Sequence, residues 1–195
     1  MTDENKTVHT AFVGFGSNLG DGQRTLADAW LRLGEEDQID LTILSSPFLS
    51  DPLGMESENR FTNCVGRIET TLSPANLLGR LLAIEQEFGR DRSSAQQGMQ
   101  DRTLDLDILY FSTLIFKEED LTIPHPRIGE RLFALVPMVE IEPTYVDPVA
   151  GKSVVNICKD FYAHMREGVI SLQTIERAIW KEGLFGPEER SFKIA

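Results

Sequence analysis

Apolar and polar positions change their period several times along this chain, and each change marks an element. Residues 10–16 (Thr10-Ala11-Phe12-Val13-Gly14-Phe15-Gly16) form a nearly continuous apolar run, the pattern of a buried strand. It closes in Ser17-Asn18-Leu19-Gly20-Asp21-Gly22, a string of turn formers. Leu26, Ala29, Trp30 and Leu33 then recur at helical spacing and Gly34 supplies a stop, which predicts a helix over 24–33. Extended patterns over 41–49 and 60–70 predict two strands, separated by the breaker Ser50-Asp51-Pro52-Leu53-Gly54 and a polar loop. Ser73 is a helix cap with Pro74 at the first helical position, Leu77, Leu78, Leu81, Leu82, Ile84 and Phe88 make the buried face, and Gly89 ends the helix. A strand over 103–111 completes the order strand, helix, strand, strand, helix, strand. That order is the ferredoxin-like one, an α+β fold in which an antiparallel sheet carries helices on one side.

The pattern weakens beyond this core. Short extended pieces at 114–116 and 121–123 flank an acidic turn, 128–141 is an apolar run containing Pro137, and a helix is expected near Val154. Leu172, Ile175 and Ile179 have the spacing of one helical face, which predicts a C-terminal helical extension over 161–195 after a core over 10–160, all within a single domain, 1–195.

Composition narrows the choice of partner. The chain has 195 residues, 41% of them hydrophobic, enough for one substantial core. Its net charge of −12 opposes binding to nucleic acid and to anionic membranes, so a small ligand is the expected partner. The first residues lack the basic start and apolar run of a signal peptide, and no apolar stretch approaches the roughly 18 residues of a membrane span. Two cysteines, Cys64 and Cys158, make neither a disulfide framework nor a metal site by their spacing, which is the usage of a reducing cytosol; the expected location is cytoplasmic.

The candidate chemistry sits in the last predicted strand. Side chains alternate along a strand, so Asp105 and Asp107 share a face while Leu104, Leu106 and Ile108 point into a core. Their α-carbons lie roughly 6.5 Å apart, a spacing that suits hard cations bridged to phosphate oxygens. A half-buried strand with an acidic wet face has the same pattern. The long polar segment 89–102 feeds into this strand and carries Arg90, Arg92 and Arg102, the cations a triphosphate needs. His125, fixed between Pro124 and Pro126, is a titratable donor on a preset backbone. By contrast, Gly14-Phe15-Gly16-Ser17-Asn18-Leu19-Gly20 has one residue too many for a dinucleotide fingerprint, and Gly151-Lys152-Ser153 lacks the upstream glycine of a P-loop.

Taken together, Gly16-Ser17-Asn18-Leu19, Asp51-Pro52-Leu53-Gly54, Phe61-Thr62-Asn63, Gly89-Arg90, Arg102-Thr103-Leu104-Asp105-Leu106-Asp107 and Leu121-Thr122-Ile123-Pro124-His125-Pro126 resemble the 6-hydroxymethyl-7,8-dihydropterin pyrophosphokinase family, over residues 11 to about 155. The resemblance implies an enzyme of folate biosynthesis that transfers pyrophosphate from ATP to 6-hydroxymethyl-7,8-dihydropterin with two Mg2+ ions, giving AMP. It implies that Asp105 and Asp107 are the metal ligands and that Arg90, Arg92 and Arg102 bind phosphate and act in catalysis. Glu85, Thr122, His125 and Arg131 fall on its nucleotide side. Leu53, Phe61, Asn63 and Phe133 fall around its pterin. Phe61 and Asn63 share one strand face, so a ring can stack on the first while the second reads its edge.

The chain also departs from that pattern. Gly98-Met99-Gln100-Asp101 stands where the family usually has Arg-Trp-Gly-Pro, so the lid tryptophan is absent and an acid lies beside the metals. Asp101 is expected to oppose the phosphates unless Arg92 or Arg102 offsets it, with its neutralisation raising activity, and 91–101 is expected to be a mobile lid. The altered lid leaves two alternatives open, a divergent relative with weak or no catalysis that binds pterin or a partner, and a kinase for a modified pterin.

Overall fold

In a computed structural model that describes residues 7–90, 100–186 and 192–195, the first apolar run becomes the central strand β1 (His9–Ser17). β2 (Ile39–Leu44), β3 (Phe48–Ser50), β4 (Phe61–Thr70) and β5 (Asp105–Phe111) join it in one sheet. β1 pairs antiparallel with β4 on one side and with β5 on the other, and β2 adds to the far edge of β4. The order β5-β1-β4-β2 is the ferredoxin-like arrangement read from the sequence.

The strand expected over 41–49 is two strands. Pro47 has no N–H with which to continue a ladder, and the chain turns there before β3 resumes pairing with β4. β6 (Phe116–Lys117) and β7 (Thr122–Ile123) form the small hairpin expected around the acidic turn.

Two helices cover one face of the sheet. In α1 (Gly22–Leu33) the Asp21 side chain accepts the Arg24 N–H, and in α2 (Pro74–Glu87) Ser73 accepts the Asn76 N–H in the same way, the latter being the cap expected from the sequence. They bury Leu26, Trp30, Leu33, Leu77, Leu81 and Ile84 against Val13, Phe15, Cys64, Ile68 and Leu106. Each such side chain contributes roughly 1.5–3 kcal/mol of transfer free energy. Trp30 lies directly over Gly66, where a Cβ would come within 2.2 Å of its ring.

The other face is also covered, which corrects the expectation of helices on one side only. α3 (Leu132–Ile141), with Pro137 accommodated inside it, and α4 (Val154–Arg166) pack on Phe12, Val65, Leu109 and Tyr110. Those strand residues are apolar on the second face of the sheet, so water there would be costly and a second helical layer is required. The cover is partial. Towards the Ser17 end of β1 the second face stays open, and a cavity lined by most of the candidate site residues lies there.

The tail is not the helix expected over 161–195. α4 ends at Arg166, Gly168 adopts a positive φ of 72°, and among the described residues the chain then runs without a helix. β8 (Glu176–Arg177) pairs with β3, and β9 (Lys193–Ile194) pairs parallel with β2. Leu172 and Ile179 are each 81% exposed, so they form no buried stripe; beyond α4, Leu184 and Phe192 are the buried residues among those described. Open edges of β2 and β3 offered unpaired backbone groups, and pairing with them outweighs a helix this short of apolar contacts.

Candidate active site

The floor of the open cleft is backbone. Alternate residues of β1 face it, and the two that do so here are Gly14 and Gly16. The ladder sets Gly16 opposite Asn63 of β4 and Asp105 of β5, and Gly14 opposite Val65 and Asp107. A Cβ on Gly16 would lie 3.3 Å from Asn63 Oδ1 and 3.8 Å from Asp105 Cβ. The glycines, discounted above as a dinucleotide fingerprint, leave flat space between an amide and a carboxylate. That space is a cavity of about 230 Å3. It is smaller than the roughly 300–1000 Å3 of drug-sized ligand sites, which suits one compact ring system.

One end of the cavity is aromatic and amide-lined. Phe61 and Asn63 come from β4, Phe133 from the first turn of α3, and Leu53 and Met55 from the 51–60 loop. Asn63 is buried and donates from Nδ2 to Ser50 Oγ at 3.0 Å, which fixes its amide. A guanidinium stands over each ring, Arg102 with its Cζ 5.4 Å from the Phe61 centroid and Arg131 at 5.5 Å from that of Phe133. Both are within cation–π range.

The other end is charged. Asp105 and Asp107 both face the cavity while Leu106 and Ile108 are buried, as the alternation predicts. Arg90 Nη1 donates to both Glu85 and Asp105. Glu85 is fully buried and also accepts the Leu106 N–H at 2.8 Å, so helix α2, Arg90 and strand β5 are tied at one carboxylate. Arg102 Nη2 lies 3.2 Å from Asp105 Oδ2 and Arg131 Nη1 3.6 Å from Asp107 Oδ2. Desolvation in the cleft and the neighbouring Asp105 push the Asp107 carboxyl above the usual carboxylate range.

His125 is held by its own backbone, whose N–H donates to the Leu109 carbonyl at 2.9 Å, and its Nδ1 accepts the Arg127 N–H at 3.1 Å. Burial, then the charge of Arg131, brings its pKa down to about 4. The ring is therefore neutral at pH 7, and its approach to Asp107 at 3.9 Å is a polar contact rather than an ion pair.

Asp101 has partners that the sequence did not suggest. Asn18 Nδ2 donates to it at 2.6 Å and Asn59 Nδ2 at 2.7 Å, and hydrogen bonds from Ser57, Asn59 and Asn18 hold its carboxyl below the usual range. Asn18 also accepts the Arg102 N–H at 2.8 Å. One aspartate thus joins the turn after β1, the 51–60 loop and the residue leading to Arg102.

The family profile described as 7,8-dihydro-6-hydroxymethylpterin-pyrophosphokinase matches residues 12–143, which contain every part of this cleft. The chain belongs to that family. It is 38% identical over 156 residues to the 2-amino-4-hydroxy-6-hydroxymethyldihydropteridine pyrophosphokinase of Synechocystis sp., covering 80% of this chain and 78% of that one. It is 40% identical over 131 residues to the enzyme of the same name from Bacillus subtilis, covering 67% and 77%. The wild-type HPPK-DHPS protein of Plasmodium falciparum superposes with a TM-score of 0.68 at 13% identity, a likeness of fold. It involves 85% of this chain, which spans about half of that longer protein, 46%.

Of the residues named from the sequence, Leu53, Phe61, Asn63, Arg102, Asp105, Asp107, His125, Arg131 and Phe133 line the one cavity. Arg90 and Glu85 stand behind Asp105. Thr122 lies on β7, away from the cavity lining, and Arg92, with residues 91–99 of the lid expected over 91–101, is outside the described residues. Sequence reasoning missed Gly16, Ser50 and Met55 as wall and floor residues. For Gly16 the signal was its place on the same alternation as Phe12 and Gly14.

Proposed function

We propose that this cleft transfers the diphosphoryl group of ATP to the hydroxymethyl group of 6-hydroxymethyl-7,8-dihydropterin, releasing AMP in the folate pathway. The observation that carries the reading is the sharing of one small cavity by a ring-and-amide end and a carboxylate–guanidinium end, joined by Arg102, which reaches both Phe61 and Asp105. In this reading Phe61 and Phe133 take the faces of the pterin, Asn63 reads its edge, and the 51–60 loop closes the side.

Asp105 and Asp107 fit Mg2+. Two carboxylates share one face, and among the described residues no third acidic, histidine or cysteine side chain completes an all-protein cage. Magnesium commonly takes such a partial set and completes its shell with substrate phosphates and water. When bound, two such ions would polarise the β-phosphorus and neutralise charge on departing AMP. The chain's own contribution is placement and charge. Arg90 and Arg102 sit on the Asp105 side and Arg131 on the Asp107 side, so a triphosphate meets cations from two directions in a protein of net charge −12. The substrate hydroxyl oxygen gives up its proton to solvent and bonds to the β-phosphorus as the bond from that phosphorus to the AMP oxygen breaks, and the bond's electron pair leaves on AMP. Neutral His125, whose Nδ1 accepts the Arg127 N–H, donates a hydrogen bond from Nε2 without adding charge.

Release of AMP from ATP, measured with and without hydroxymethyldihydropterin at millimolar magnesium, tests the reading. Pterin-dependent AMP formation is the expected result. Tight pterin binding without AMP would instead mark a noncatalytic relative, and absence of both would reject the site.

A further inference from the structure

The segment after α4 lies beyond the residues matched by the family profile, yet it bonds two stretches of chain that line the cleft. Two consecutive side chains make the contact. Gln173 Nε2 donates to the Glu130 carbonyl at 2.8 Å, and its Oε1 accepts the Leu132 N–H at 3.0 Å. Leu132 opens α3, whose first N–H groups have no partner within the helix and whose N-cap residue, Arg131, makes no side-chain cap. Gln173 supplies that cap from a distant part of the chain. The peptide it holds lies between Arg131 and Phe133, one wall of the cavity.

Thr174 holds the opposite wall. Its Oγ1 donates to Asp51 Oδ2 at 2.6 Å and accepts the Asp51 N–H at 3.2 Å. Asp51 begins the 51–60 loop that carries Leu53 and Met55. At the far end of that loop, Arg60 bonds both Asp51 and Glu176, each at 3.2 Å. Those ion pairs are 41% exposed or more and contribute little by themselves. The hydrogen bonds of Gln173, both to backbone, and of Thr174, to the side chain and backbone N–H of Asp51, are the specific part of the attachment.

We propose that Gln173 and Thr174 are positioning residues that hold the two walls of the pterin pocket at a fixed separation, making pterin binding depend on the C-terminal segment. The inference rests on reading the cavity as the pterin site. The 51–60 loop is irregular and mostly exposed, the kind of segment that opens at little cost. A substrate that must order such a loop loses that free energy from binding, and a loop already fastened removes the penalty.

Gln173→Ala, Thr174→Val and their combination, with Thr174→Ser as the conservative control, test this by initial-rate kinetics on both substrates and by hydrogen exchange of the unliganded proteins. In the double variant the KM for hydroxymethyldihydropterin should rise roughly tenfold while that for ATP moves less than about twofold, with faster exchange over 51–60. Thr174→Ser should behave as wild type. Faster exchange with an unchanged pterin KM, equal rises for both substrates, or no change at all would overturn the brace. Wild-type protein that fails to bind the pterin would overturn the pocket assignment first, whereas wild-type binding with unaffected variants overturns the brace alone.

Discussion

Asn18 and Asp101 are joined at 2.6 Å, so the turn that ends β1 is fastened to the residue that leads into Arg102. From sequence, Asp101 is a misplaced charge whose removal should help phosphate binding. Its carboxylate instead receives hydrogen bonds from Asn18 and Asn59, and Asn18 returns one to the Arg102 N–H. Asp101→Ala leaves those amides without an acceptor and frees both the 51–60 loop and Arg102. We expect kcat/KM to fall for both substrates, with Asp101→Asn intermediate because one oxygen is retained. Steady-state kinetics check this, and a raised kcat/KM would restore the repulsion argument.

Asp105 and Asp107 predict different stability costs for the same loss of activity. Each Asn variant should lower turnover on the order of 100-fold or more, the scale of several kcal/mol that metal-assisted charge stabilisation supplies. Asp105 also anchors Arg90 and Arg102, with its side chain 22% exposed, so Asp105→Asn should cost about 1–2 kcal/mol of stability. Asp107 is 41% exposed and more loosely faced by Arg131 at 3.6 Å, so Asp107→Asn should unfold close to wild type. Urea unfolding beside a magnesium-dependent AMP assay separates the two effects. Near-normal turnover in either variant would remove that carboxylate from the metal site.

Residues whose role follows from strand alternation were legible in the sequence. Asp105 and Asp107, Phe61 and Asn63 need only period two to share faces. The helical cover over the second face was not, because an apolar run such as 128–141 says that it is buried and does not say against what. The tail misled for a related reason. Leu172, Ile175 and Ile179 have helical spacing, yet Leu172 and Ile179 are exposed and the buried anchors are Leu184 and Phe192. Gln173 and Thr174 gave no signal, since a polar side chain that caps a distant helix reads like one in water. The partners of Asp101 were not legible because its donors, Asn18 and Asn59, are remote in sequence and meet it only once β1 and the 51–60 loop are in place.

Gly66 tests the first core. A Cβ there would meet Trp30 at 2.2, 2.8 and 2.9 Å, and Trp30 is completely buried between Phe15 and Phe192. The indole has no free direction in which to retreat, so Gly66→Ala should destabilise by about 2–3 kcal/mol through overpacking. Urea unfolding is the measurement. A change below about 1 kcal/mol would mean that this interior repacks more easily than dense packing allows.

Gly16 tests the floor of the proposed pterin pocket. Its φ is not in the positive range, so a β-branched residue suits the extended backbone of β1. The added Cβ would stand 3.3 Å from Asn63 Oδ1, 3.8 Å from Asp105 Cβ and 4.0 Å from Phe61 Cδ1, and the two methyl groups of valine would extend from it into the cavity. Gly16→Val should therefore fold with a Tm near that of wild type while pterin affinity drops roughly tenfold or more, the scale on which crowding by extra methyl groups acts in a packed site. ATP affinity should change less, because Arg90 binds Asp105 from behind and Arg131 lies on the Asp107 side, neither of them among the atoms nearest the added Cβ. Calorimetry with each ligand separates the cases. Equal losses would indicate a general distortion of β1, and wild-type pterin affinity would mean that the ring does not lie over this glycine.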